Sequence, residues 1–275
     1  MGRLPELIAQ ASTTELGVRQ FAEAILTTDT RAKLASVAIP VRKGNVTILG
    51  IAKGSGMIHP QLATMLVYVF TDLAATPRQL KKLLKDASAD TFNCMSVDGD
   101  TSTNDTVLLL ASSQSGIRLK DSGVAKAFTS ALKEICQSLA EQIVSDGEGV
   151  NHVIRLFVEQ AKNRKEALQV ARAVAHSALV KTAWAGADPN WGRILAAAGY
   201  SGAAIDPKRV NIFIGDQQVC KAGQAFAFDE AAAHDYLSQP RCDVRAQLGR
   251  GRTQVGFYTT DLTAEYVRIN ADYST

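Results

Sequence analysis

Apolar positions along this chain recur with two periods, and the switches between them outline the elements. In "SGVAKAFTSALKEICQSLAEQIV", Val124, Phe128, Leu132, Ile135, Leu139 and Ile143 fall three or four apart, the stripe of a long amphipathic helix. "TPRQLKKLLKDA" sets Leu80, Leu83, Leu84 and Ala87 beside Arg78, Lys81, Lys82 and Lys85, the dry and wet faces of one surface helix. Thr76 is its N-cap and Pro77 its first-turn residue. "RKEALQVARAVAHSALVKTA" predicts a second long helix, and residues 5–26 have helix-like spacing. Strands are predicted at "NVTILGIAK", which ends at Lys53, at "NHVIRLFVEQ", and at "FNCMSVDGD", which runs into a polar loop ending near Asp105. "VNIFIGDQQVC" carries a Gly-Asp turn between apolar stretches, a hairpin signal, and "CDVRAQLGRGRTQVGFYTTD" predicts two strands around a "GRGR" turn. Helices and strands interleave with no long linker and no repeat, which predicts an α/β or α+β fold and leaves the strand order open.

Composition narrows the classes. The 275 residues are 46% hydrophobic and 21% charged, enough to bury a sizeable core in one large domain or two modest ones. A net charge of +3 is too small to point to nucleic acid or a membrane surface as partner. Cys94, Cys136, Cys220 and Cys242 are widely scattered with no CxxC pair, so they read as buried thiols in a reducing compartment. "MGRLPELIAQ" lacks the apolar core of a signal peptide, and no apolar run approaches a membrane span. The expectation is a soluble cytoplasmic protein.

Conventional catalytic signatures are missing. "KGSGM" lacks the GK[ST] of a phosphate loop and the third glycine of a dinucleotide fingerprint. "DGDTSTND" resembles a calcium loop until its glycine position, which holds Thr103, and its closing glutamate position, which holds Leu109. His59, His152, His176 and His234 have no metal-ligand spacing, so no metal is expected. What stands out is "AKGSGMIHPQLATML", where Lys53 and a glycine-rich turn precede Ala63 and Thr64. A threonine hydroxyl needs an activating base, and one economical base is its own α-amine, freed if the Ala63–Thr64 bond is cut. Gly54 and Gly56 supply backbone torsions that a strained loop requires. On residue type alone, however, Thr64 reads as an ordinary hydroxyl satisfied by backbone. Likewise Lys53 reads as a solvated surface lysine, Glu148 as an exposed turn carboxylate, and Asn270 and Thr275 as part of a frayed terminus.

The same stretch closely resembles the self-cleavage segment of the ArgJ family, the ornithine acetyltransferase/glutamate N-acetyltransferases. Gln61-Leu62 stands where the family usually has Asn-Met. "TTDT" at 27–30, "FNCMSVDGDTSTNDT" at 92–106, "DGEG" at 146–149, "ADPNWGRI" at 187–194, "LGRGR" at 248–252 and "YVRINADYST" at 266–275 resemble further family blocks, in family order. The implied fold is the self-cleaving N-terminal-threonine nucleophile fold of the ArgJ/DmpA type, mixed sheets packed with helices. Residues 1–63 would be the C-terminal part of an α chain. Residues 64–275 would be a β chain beginning at Thr64, with a smaller α/β portion from about residue 195. The resemblance implies ping-pong acetyl transfer from N2-acetyl-L-ornithine to L-glutamate in arginine biosynthesis. It leaves acetyl-CoA open as a second acetyl donor and implies no other cofactor.

By position, the resemblance makes Thr64 the nucleophile and Ala63–Thr64 the cleavage site. Thr27, Lys53, Thr64, Glu148, Asn270 and Thr275 match the family's substrate-binding positions, with Thr28 equally capable at the first of them. Lys53 suits a substrate carboxylate and Glu148 a substrate ammonium. Asp188 and Asn190 read as turn and N-cap residues. The implied assembly is a heterotetramer of two α and two β chains. The family's oxyanion-hole Thr-Gly pair has no counterpart in residues 1–63, and each missing donor typically costs ~100- to 1,000-fold in rate. Weak or absent activity of residues 1–275 alone is therefore expected. The alternatives are a catalytically impaired remnant or subunit and a related N-terminal-nucleophile hydrolase.

Overall fold

The computed structural model describes residues 6, 12, 14–59, 65–101 and 104–272. Two mixed sheets each lean on their own helices. The first sheet has strands β1 (Lys33–Val41), β2 (Gly44–Lys53), β3 (Leu66–Thr71) and β4 (Thr106–Ala111), in that order. The pairs β1–β2 and β2–β3 are antiparallel, whereas β3–β4 is parallel. A parallel pair needs a crossover, and the predicted surface helix α2 (Pro77–Asp90) lies within that connection. Its N-terminus is closed by a capping box between Thr76 and Gln79. A shorter helix, α1 (Glu15–Ala24), precedes β1.

The long predicted helix is α3 (Val124–Ser145), and its apolar stripe from Val124 to Ile143 is buried across the first sheet. Gly50 permits that approach, since a Cβ there would lie 2.7 Å from Leu139 Cδ1 and 2.8 Å from Ile135 Cγ2.

The second sheet runs β10 (Thr253–Thr260), β5 (Val153–Ala161), β9 (Arg241–Gln247), β6 (Asn211–Ile214), β7 (Gln217–Lys221) and β8 (Gln224–Ala225). Helices α4 (Arg164–Ala175), α5 (Ala178–Ala185), α6 (Trp191–Gly199) and α7 (Glu230–Leu237) bury a separate apolar core with it. The last helix, α8 (Ala264–Asp272), returns toward the first sheet.

Three expectations change. "FNCMSVDGD" is not a strand: Phe92–Cys94 is a short 3-10 turn, and Met95 makes an isolated bridge to Tyr258. Its apolar residues do not alternate, and Phe92, Cys94, Met95 and Val97 can all be buried only by turning. "RKEALQVARAVAHSALVKTA" is two helices, because Ser177 caps the second by accepting the Val180 N–H, which starts a new helix direction. The strands flanking "GRGR" exist but do not pair with each other, since β5 lies between β9 and β10. The "IGDQ" hairpin forms as expected between β6 and β7. All four cysteines are buried and unbridged. Among the described residues, no helix is long and apolar enough to cross a membrane.

A buried ionic clamp joins the first sheet to the end of α3. Lys33 Nζ lies 2.6 Å from Asp29 Oδ1 and 2.5 Å from Asp146 Oδ2, and its side chain is wholly shielded from solvent. Asp29 Oδ1 also accepts the Gly54 N–H at 2.6 Å, and both the hydroxyl and the N–H of Thr30 donate to Asp146. Burial pushes the Asp29 carboxyl up, but the Lys33 ammonium and the Gly54 and Thr27 N–H groups outweigh it and hold the carboxyl below its ordinary value. A carboxylate depressed in this way stabilises the fold above its unfolded pKa, and that stability is lost as pH falls through the folded value.

Lys33→Met leaves two buried carboxylates without their cation and is expected to cost about 3–5 kcal/mol at neutral pH, read from the urea midpoint. Protonation relieves the stranded carboxylates, so the gap to the wild type should narrow between about pH 7 and about pH 5. A variant whose midpoint matches the wild type at neutral pH would contradict the clamp.

Candidate active site

The clamp places three loops around one cavity of about 150 Å³, lined by Thr27, Thr28, Lys53, Gly54, Ser55, Gly56, Met57, Glu148, Ile269 and Asn270. That volume is well below the ~300–1,000 Å³ of drug-sized pockets and suits a small ligand. Lys53 ends β2, and Asp29 holds the next residue, Gly54, by its amide. Gly54 has φ +150°, and Met57 follows in the left-handed region at φ 54°. Asp98 stabilises that turn by accepting the Met57 N–H at 2.6 Å and the Ile58 N–H at 3.0 Å. Burial raises the Asp98 carboxyl despite these amides.

Glu148 is set from behind. Its N–H donates to Ser55 O at 3.1 Å, while Ser55 Oγ donates to Asp146 O at 2.7 Å. Gly149, at φ +64°, lets α8 approach closely: a Cβ there would lie 2.8 Å from Tyr266 Cα. Thr263 Oγ1 donates to Gly149 O at 2.6 Å and accepts the Tyr266 N–H. Asn270 thereby reaches across, and its Nδ2 donates to Glu148 Oε2 at 3.0 Å.

The charges around the cavity are unevenly satisfied. Lys53 is only 6% exposed, so it is not the solvated surface lysine that its residue type suggests. Among the described residues its ammonium has no carboxylate within ion-pair distance, and it donates one hydrogen bond, to Thr27 Oγ1 at 3.3 Å. A buried ammonium left so poorly paired is costly unless a ligand supplies an anion. Glu148 stands across the same cavity as its complement. The pair can take the carboxylate and the ammonium of one zwitterion.

Of the residues singled out in the sequence, Thr27, Lys53, Glu148 and Asn270 thus converge, and Thr28 lines the cavity beside Thr27. Ala63, Thr64 and Thr275 lie outside the described residues. The nearest described residues on either side of Ala63 and Thr64 are held by side-chain contacts. Before it, His59 Nδ1 and His176 Nε2 lie 3.0 Å apart, and His176 Nε2 is 3.1 Å from Ser96 Oγ. Burial, with help from His59, pushes His176 down to about 4, so its ring is neutral at pH 7. After it, Asp105 Oδ1 accepts the Met65 N–H at 2.7 Å. Sequence reasoning missed Asp29, Lys33, Asp146 and Asp105. Three of these lie inside the quoted blocks, but nothing in residue type or spacing distinguishes them from loop carboxylates. Away from the cavity, Asn190 caps α6 by accepting the Arg193 N–H, as its position suggested.

Comparison with known proteins gives the family. The ArgJ family model matches residues 1–275. The chain belongs to the ArgJ family. An arginine biosynthesis bifunctional protein ArgJ from Thermotoga neapolitana is 45% identical over 262 residues, 93% of this chain and 66% of the relative. A glutamate N-acetyltransferase from Methanopyrus kandleri is 44% identical over 266 residues, 95% of this chain and 67% of the relative. This ArgJ-family chain thus spans about two thirds of the length of these relatives. A crystal structure of an arginine biosynthesis bifunctional protein ArgJ from Bacillus halodurans matches with a TM-score of 0.72 at 39% identity. That match covers 75% of this chain and 98% of the solved one.

In this ArgJ-family chain Gly56 leaves room for Glu148, since a Cβ at 56 would lie 2.5 Å from Glu148 Cδ. Gly56→Ala must displace the carboxylate. It is expected to weaken binding of an α-amino acid by about 10-fold or more, the loss of one charge-assisted hydrogen bond. Titration calorimetry reads the affinity, and an unchanged affinity would contradict the role given to Glu148.

Proposed function

We propose that this chain carries the acetyl-transfer site of an ornithine acetyltransferase/glutamate N-acetyltransferase, moving acetyl from N2-acetyl-L-ornithine to L-glutamate. The observation that carries this reading is Lys53, a nearly buried ammonium without a carboxylate partner among the described residues, facing Glu148 across a cavity of amino-acid size. Both substrates are amino acids with a carboxylate for Lys53. Donor and acceptor share that anchor in a ping-pong route, so one cavity serves both half-reactions. Thr27 and Asn270 add hydrogen-bonding groups to the cavity, the role that the family resemblance also gives Thr275.

The chemistry begins with self-cleavage. The Thr64 hydroxyl adds to the Ala63 carbonyl, the C–N bond breaks, and the amine of Thr64 keeps the hydroxyl proton. Water then hydrolyses the ester, leaving Ala63 with a carboxylate and Thr64 with a free hydroxyl and a free amine. That amine, with a pKa near ~8, takes the hydroxyl proton when Thr64 attacks the acetyl carbonyl of the donor. It returns the proton to the departing ornithine amine. Attack by the glutamate amine on the acetyl-threonine ester releases N-acetylglutamate and restores Thr64. Cleavage would separate residues 1–63, an α chain, from residues 64–275, a β chain, and two copies of each would assemble.

Denaturing mass spectrometry of the purified chain should give two fragments divided between Ala63 and Thr64. Incubation with N2-acetylornithine should add one acetyl group to the fragment that starts at Thr64, and glutamate should remove it. An intact chain would overturn the reading in favour of a catalytically impaired remnant, and acetate released at full rate without glutamate would overturn it in favour of a hydrolase. Lys53→Met removes a poorly paired buried charge, so its melting temperature should equal or exceed that of the wild type. Acetylation at low donor concentration should nevertheless fall by ~10- to 100-fold.

A further inference from the structure

Asp105 is a charged group close enough to Lys53 to interact with it that this chemistry has not used. It lies in the loop just before β4, and its Oδ1 accepts the Met65 N–H at 2.7 Å. From the other side, the Thr106 N–H donates to Met65 O at 3.0 Å. The register of β3 on β4 begins at once, with Leu66 opposite Thr106, so Met65 is held by both its amide and its carbonyl. The nitrogen that Asp105 grips is bonded directly to the carbonyl carbon of Thr64. Lys53 Nζ, on the neighbouring strand end, is the charged group that faces Asp105 among the described residues. That ammonium and the Met65 amide favour the ionised carboxylate, but burial dominates and pushes the carboxyl up to about 6. A desolvated carboxylate kept ionised at neutral pH costs the fold stability, which is expected where a charge is held for function.

We propose that Asp105 is a positioning residue for the nucleophile: its carboxylate fixes the peptide that follows Thr64, and both cleavage before Thr64 and acetyl transfer through it depend on that charge. This rests on the acetyl-transfer reading. A charged acceptor matters because an N–H bond to a carboxylate is roughly twice as strong as one to a neutral oxygen.

The test compares the wild type with Asp105→Asn and Asp105→Ala, following cleavage between Ala63 and Thr64 by denaturing mass spectrometry alongside thermal melting. Asp105→Asn keeps the shape and an acceptor oxygen but lacks the charge. Its cleavage and its acetylation should slow by about 10-fold while its melting temperature stays level or rises; Asp105→Ala should be slower still. The sign follows from the raised pKa, since ionisation of Asp105 opposes folding above its unfolded value and the amide relieves that cost. A merely structural side chain would lower rate and melting temperature together. The wild-type cleavage rate should also rise with pH around a midpoint near 6 that Asp105→Asn lacks. Cleavage of Asp105→Asn at the wild-type rate with the same pH profile would overturn the role of Asp105 and leave the transfer reading standing. A wild-type chain that never cleaves would overturn the transfer reading and, with it, this role.

Discussion

Lys33 is the charge on which the site geometry depends. It sits with no solvent exposure between Asp29 and Asp146, and each carboxylate carries a different wall of the cavity. Asp29 holds the Gly54 amide, so it sets the direction of the chain leaving Lys53. The carbonyl of Asp146 accepts the Ser55 hydroxyl, and Glu148 follows two residues later with its own amide on Ser55. One ammonium therefore fixes the relative position of the cavity's cation and its anion. Such a cluster is no bonus to stability in itself, because desolvating three charges costs about what their attraction returns. Its consequence is specificity: this arrangement of the loops satisfies both carboxylates at once.

Three lysines in this fold show how different a buried ammonium can be. Lys33 is neutralised by carboxylates. Lys181 is equally buried and is satisfied by carbonyls, donating to Val97 O at 2.8 Å and Thr260 O at 2.5 Å; burial pushes it down to about 8. Lys53 has neither solution and makes one long hydrogen bond to a threonine hydroxyl. The first two lysines hold elements together, whereas the third leaves an interaction for a ligand to complete. Asp105 is the matching case among carboxylates, ionised where burial disfavours it and aimed at the residue after Thr64. Stability given up at Lys53 and Asp105 is available as binding and positioning energy, the usual trade at an active site.

Much of the secondary structure was legible beforehand, and the failures are instructive. The stripe from Val124 to Ile143 and the Thr76–Pro77 start are strong local signals, and both elements formed as read. "FNCMSVDGD" misled because its apolar residues are buried by a turn, with Ser96, Val97 and Asp98 all bonded to the 57–58 segment. Ser177 broke a helix whose apolar spacing continued through it. Pairing was not legible at all, and β5 separates two strands that adjoin in sequence.

Motif order, by itself, determined the family, because the blocks recur in a fixed order along the whole chain; the nucleophile candidate and the candidate substrate-binding positions came with that resemblance. Burial and pairing belonged to the tertiary structure alone. Glu148, read alone as a turn carboxylate, and Asn270, read as part of a loose tail, meet at 3.0 Å only because Gly149 admits α8. Lys53 became a ligand-seeking charge only once the fold removed it from water, and Asp105 gained a role only once β3 and β4 paired. A charge's energy depends on the dielectric and the partners around it, and both are set by residues tens of positions away in the chain.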